Sequence, residues 1–268
     1  MFKLLFNPKK AERRPIEMMF IGIFYSSLSI LISSWIFPDY ASLIMVFFTV
    51  ISCLYVVQGA IRLEEDKEVN YKTERWLLKE HFRILGFLLF LFIGFVISFA
   101  FWTIVLPSDK VNLLFSLQAS VVDGIRSMTV TGGLIGGNTF SLILLNNLKV
   151  LLISLILAFF YGAGSILVLV WNASVMGFVI GEFARETLGI LSLPIAFTRY
   201  FLHGIPEMLA YLTIALAGGM LFVFISRRDF LKPGRIKRMI IDTLVLVGIS
   251  IVLLIVAGLI EVFISPYV

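Results

Sequence analysis

Residues 83–106 read RILGFLLFLFIGFVISFAFWTIVL, and beyond Arg83 the stretch carries no charge at all. At ~1.5 Å of rise per residue a helix of this length covers ~36 Å, enough to cross a hydrocarbon core ~30 Å thick. An unpaired backbone amide costs several kcal/mol in lipid. A helix pairs its own amides, whereas the strands of a membrane barrel would show as short alternating segments instead of one long apolar run. Working outward, six more such runs occupy 17–37, 40–61, 141–160, 163–181, 206–226 and 240–262. The reading is an all-α integral membrane protein, a bundle of about seven transmembrane helices. Composition agrees: the chain is 60% hydrophobic with 26 Phe and only 15% charged, where soluble proteins average about 25% charged.

Charge placement gives the orientation. Of the 22 Lys and Arg, seventeen fall before helix 1, between helices 2 and 3, or between helices 6 and 7; the alternate connections hold only Lys110, Arg126, Arg185 and Arg199, and Lys149 lies inside helix 4. The positive-inside rule then predicts a multi-pass protein of the cell (plasma) membrane with a cytoplasmic N-terminus and an external C-terminus. The polar leader Met1–Pro15 precedes an apolar run longer than a signal h-region, and Ile36-Phe37-Pro38 is no small-residue cleavage site, so helix 1 is read as a retained anchor. The net charge of +5 is accounted for by this topology, and no nucleic-acid partner is expected. The single Cys53 excludes an intrachain disulfide and reads as a packing residue.

Two parts are expected, an N-terminal three-helix segment over 1–106 with its basic leader, and a membrane module over 107–268. The mixed-charge connection from Arg62 to Arg75 reads as a solvated continuation of helices 2 and 3. Between helices 3 and 4, Leu114, Leu117, Val121, Ile125 and Met128 recur at helical spacing opposite Asn112, Ser116, Ser120, Asp123 and Ser127. That pattern predicts an external amphipathic helix, lying in the interface or capping the bundle. Gly132-Gly133-Leu-Ile-Gly136-Gly137 lacks the Gly-Lys-Ser/Thr ending of a phosphate loop and reads as a turn. Gly177 and Gly181 form a GxxxG in helix 5 that admits a close backbone neighbour, assigned here to the same chain.

The intramembrane polar residues gather toward the outer side. Asn146, Asn147 and Lys149 fall in the outer half of helix 4, Asn172 near the middle of helix 5 with Glu182 at its outer end, His203 and Glu207 at the start of helix 6, and Glu261 near the end of helix 7. They are read as one outward-facing polar cluster. In His203-Gly204-Ile205-Pro206-Glu207, Pro206 opens helix 6 or the helix runs through it; on either reading imidazole and carboxylate can be neighbours. Such a pair could clasp two helices, move protons or take part in acid–base chemistry. No metal site and no cofactor are expected, since His81 is the only other histidine and Cys53 is embedded in helix 2. No serine-nucleophile elbow occurs either.

Asn146-Asn147, Gly162-x-Gly164, Trp171-Asn172, Gly177/Gly181, His203-Gly-x-x-Glu207, Ala217-Gly218-Gly219 and Leu259-Ile-Glu261 through Pro266 resemble the stage II sporulation protein M family over about residues 110–266. The resemblance implies a multispanning envelope protein. In endospore formers it implies a membrane scaffold for the sporulation D and P peptidoglycan-remodelling enzymes, and relatives also occur in organisms that never sporulate. Three function classes follow. The first, preferred, is a non-catalytic scaffold or partner-recruiting subunit. The second is a permease or channel subunit for a small solute or protons, and the third an intramembrane hydrolase with His203 and Glu207 as its catalytic candidates. The expected partners are the lipid bilayer and other envelope or membrane proteins, with self-association left open.

Overall fold

The computed structural model describes residues 15–70, 74–131, 137–161, 163–187, 189–231 and 234–265, with side chains described outside 61–82, 125–139, 161, 163, 190 and 230. Among the described residues every regular element is helical: α1 (Pro15–Ile36), α2 (Ala41–Asn70), α3 (Glu74–Val105), α4 (Ser108–Leu114), α5 (Ser116–Thr131), α6 (Gly137–Tyr161), α7 (Ile166–Glu186), α8 (Leu193–Ser226) and α9 (Arg235–Phe263), joined by short 3₁₀ turns. Seven of them, α1–α3 and α6–α9, are long and apolar enough to cross a membrane. The chain is an all-α integral membrane protein.

Many hydroxyl residues of these helices donate back to their own backbone one turn earlier, although Ser154 and Thr243 do not. Ser26 donates to the Gly22 carbonyl at 2.7 Å, Thr49 to Met45 at 2.7 Å, Thr213 to Leu209 at 2.7 Å and Ser250 to Leu246 at 2.8 Å. The bond satisfies the hydroxyl within one helix and needs no tertiary partner.

Packing is organised by small residues. Without a hydrophobic drive between helices in lipid, close backbone approach and dispersion hold a bundle together. Gly22 and Gly94 bring α1 onto α3, where a Cβ on Gly22 would lie 2.6 Å from the Leu91 carbonyl oxygen and one on Gly94 would run into the backbone of Met19. Gly177 and Gly181 bring α7 onto the other side of α3, against Phe99 and Thr103. Gly218 brings α8 onto Ala158 of α6. Phe87, Phe92, Phe95 and Phe99 of α3 are wholly buried between these neighbours.

The central helices are α8 and α3, with 78% and 67% of their spans buried, against 22% for α6 and 28% for α9. Helix α6 therefore lies on the rim. Helices α2 and α3 continue to Asn70 and from Glu74, as the mixed-charge connection suggests. At the turn from α8 into α9, Gly234 adopts φ 78°, and buried Asp229 pairs with Arg235 across it.

Of the two readings open for Pro206, the structure has the second: α8 runs from Leu193 through the proline to Ser226. A proline removes one intrahelical bond, which neighbouring helices of a membrane bundle tolerate. Helices α4 and α5 do cap the bundle, but on a different face from the predicted stripe. Val111, Leu114, Phe115, Gln118 and Val122 are buried, while Leu117 and Val121 are exposed. A break at Phe115 separates the two helices. The Phe115 ring stacks on Phe178 at 5.5 Å and meets Phe99 edge-on at 6.2 Å, which rotates this face inward. The side chains of Ile125, Ser127 and Met128, the run 132–136 and the leader 1–14 lie outside the described residues.

Candidate functional site

Because α8 is continuous, His203, Glu207 and Tyr211 succeed one another a turn apart on one stripe. Each has a partner other than the one the spacing suggests. His203 Nδ1 and the Ser265 hydroxyl, just past the end of α9, lie 2.9 Å apart. The Tyr211 hydroxyl donates to Glu207 Oε1 at 2.8 Å. The expected imidazole–carboxylate pair is thus replaced by two separate bonds, for a steric reason. Tyr211 reaches back one turn to the carboxylate, and the last turn of α9 brings a buried serine to the imidazole. Glu261, one turn before Ser265, is within electrostatic reach of both Glu207 and Tyr211. The result is a polar seam between α8 and α9. On its other side Gly204 leaves room for Met176 of α7, whose methyl group a Cβ would strike.

The remaining members of the predicted cluster differ in exposure. Asn147 is buried, whereas Asn146 and Lys149 lie on the exposed face of α6; Asn146 donates to Asn147 Oδ1 at a long 3.4 Å. Asn172 is half-buried and spends its amide on the Val168 carbonyl of its own helix, at 2.8 Å. Glu182 is half-buried near the end of α7. Asn146 therefore does not turn into the bundle beside His203, Glu207 and Glu261, which corrects that expectation. Residues of one depth on different helices share a site only if their azimuths also agree, and one step along a helix rotates a side chain by about 100°. Lys149 is the costly case, since a Lys at mid-membrane is disfavoured by ~2.5–3.5 kcal/mol on insertion scales.

A second polar centre went unread in the sequence. Gln118 of α5 is fully buried and bonds two helices at once. Its Oε1 accepts from the Ser42 hydroxyl of α2 at 2.7 Å, and its Nε2 donates to the Ser174 hydroxyl of α7 at 3.0 Å. Ser42 Oγ accepts in turn from the Leu117 amide at 3.2 Å, and Ser174 donates to the Trp171 carbonyl at 2.7 Å. The available signal was Gln118 falling at helical spacing among Val111, Leu114, Phe115 and Val122. Beside this knot, Arg185 donates to the Thr103 and Leu106 carbonyls at 2.9 Å each and to Ser108 Oγ at 2.6 Å. Its guanidinium thereby caps the negative end of α3.

Among the described residues no group of three or more His, Cys, Asp or Glu side chains could hold a metal ion. The His203–Ser265 contact and the Gln118 knot tie helices of one chain to one another, while the Tyr211–Glu207 bond lies within α8. Seven apolar spans held by glycine contacts and buried hydrogen bonds define a polytopic α-helical membrane protein. Within that class the chain belongs to the stage II sporulation protein M family, whose model matches residues 84–266. The match begins inside α3, earlier than the region of residue-by-residue likeness from about 110, and so includes the helix on which both α1 and α7 pack. No curated protein and no solved structure matches the chain.

Proposed function

We propose that this chain is a non-catalytic scaffold of the cell envelope, a multi-pass protein of the cell membrane that recruits or positions other membrane proteins. The observation that carries this reading is the closure of the α8–α9 seam. His203 bonds Ser265 and Glu207 bonds Tyr211, so the groups best suited to proton transfer are engaged inside the bundle. A catalytic or transporting side chain has to offer a proton or lone pair to a substrate, whereas a clasp spends it on a neighbour. Family membership supports the same reading. The N-terminus is cytoplasmic and the C-terminus external, supported by the seventeen basic residues gathered at one set of connections.

The test is isolation of the native complex from chemically cross-linked membranes. A scaffold yields a membrane or envelope protein at fixed stoichiometry. A chain recovered alone that conducts protons or a small solute when placed in vesicles would contradict the proposal.

A further inference from the structure

Helix α6 has two unlike faces. Asn147, Leu151, Ser154 and Ala158 are buried, Ala158 against Gly218 of α8. The other face presents Leu142, Asn146, Lys149, Ile153 and Ile156 at helical spacing, all exposed. Lys149 stands one residue from the centre of the span Phe140–Phe160. About 14 Å of helix separates it from the nearer end of that span. An extended lysine side chain reaches about 6 Å, so its ammonium cannot snorkel out of the hydrocarbon. Among the described residues Lys149 makes no ion pair or hydrogen bond. A charge in that position implies a partner.

We infer that the exposed face of α6 is the docking surface for a transmembrane helix of another protein, one that carries an Asp or Glu near its midpoint opposite Lys149. This rests on the scaffold reading and names its partner-binding face. Charge decides the occupant. A second copy docked through the same face would oppose Lys149 to Lys149 across the two-fold axis. Nor does a copy offer a matching acid at that depth: among the described residues Asp39, Asp109, Asp123 and Glu186 are exposed only at helix ends or on the capping helices, and Glu182, Glu207, Asp242 and Glu261 are half-buried in their own bundle. Asn146, one turn from Lys149, supplies an amide for a second polar contact, and the flanking Leu and Ile side chains give the apolar area on which a helix seats.

The probe is a synthetic helix of about twenty leucines with lysine flanks, carrying Glu, Gln or Leu at its midpoint. It is labelled for energy transfer to the full-length protein in phosphatidylcholine vesicles. The Glu helix should associate at least tenfold more strongly than the Leu helix, with Gln between them. Lys149→Met should abolish that preference and Lys149→Arg should keep it, both variants showing wild-type helix content and size. Equal association of the Glu and Leu helices, or a preference surviving in Lys149→Met, overturns the inference. So does energy transfer between protein copies that depends on Lys149. The native complex separates this failure from failure of the scaffold reading: a complex undiminished by Lys149→Met leaves the scaffold standing and removes this face.

Discussion

Replacing Gly181 by alanine tests whether α7 is seated on α3 as described. A Cβ at this position would lie 2.5 Å from Thr103 Cβ, 2.7 Å from Thr103 Cγ2 and 3.0 Å from the Ala100 carbonyl oxygen. Carbon atoms prefer ~3.5–4.0 Å, so the two helices must separate by about 1 Å. Thr103 cannot turn aside without loss, since its hydroxyl donates to the Phe99 carbonyl at 2.9 Å. Nor is the shift confined to one contact. Arg185, one turn further along α7, would see its 2.9 Å bonds to the end of α3 stretched beyond hydrogen-bonding distance. Overpacking of this kind costs ~1–3 kcal/mol. The better helix propensity of alanine returns ~0.5–1 kcal/mol. Taking the middle of each range, the net loss is about 1 kcal/mol, or a drop in Tm of roughly 2–4 °C for a chain of this size. Gly248→Ala is the internal control, because nothing lies within 4 Å of its Cβ, and it should leave Tm unchanged or slightly raised. Thermal unfolding of both variants in one detergent decides the matter. A Gly181→Ala protein as stable as wild type would refute the α3–α7 packing.

Gln118→Leu should lower stability by ~1–3 kcal/mol, since buried hydrogen bonds between membrane helices are worth ~0.6 kcal/mol on average and up to ~1.7. Ser120→Ala on the exposed side of the same helix should change nothing measurable by thermal unfolding, and equal effects would remove the Gln118 knot. For orientation, cysteines placed at Leu191 and Leu231, 81% and 70% exposed, report on opposite sides of the bundle while buried Cys53 stays silent. An impermeant reagent added to intact cells should modify the first and spare the second. The reverse pattern would invert the topology.

Apolar run length alone marked all seven spans, because crossing lipid constrains length before anything else. What the sequence conceals is direction around each helix. In a soluble bundle a polar stripe marks the outward face, but in lipid both faces are apolar and the periodicity fades. Asn146 and Asn147 show the difficulty: adjacent in sequence and equal in chemistry, one is exposed and the other buried. The stripe of α5 was misplaced for a related reason, since Phe115 and Gln118 are fixed by Phe178, Ser42 and Ser174, all distant in sequence. The His203–Glu207 spacing was legible. Their partners were not, because Ser265 comes from another helix end and Tyr211 competes for the carboxylate one turn on.

Whether the α8–α9 seam is a clasp or a chemical centre turns on which property of Glu207 matters, and paired substitutions ask this directly. Glu207→Gln keeps an oxygen to accept from Tyr211 and removes the ionisable group. Glu207→Ala strands the Tyr211 hydroxyl, at a cost of ~1–3 kcal/mol. If the seam is a clasp, the Gln variant matches wild type in thermal stability and in recovery of the native complex, while the Ala variant loses stability. A Gln variant that folds and holds its partners yet has lost its function in the cell would contradict it, and would assign the carboxylate to proton transfer or transport.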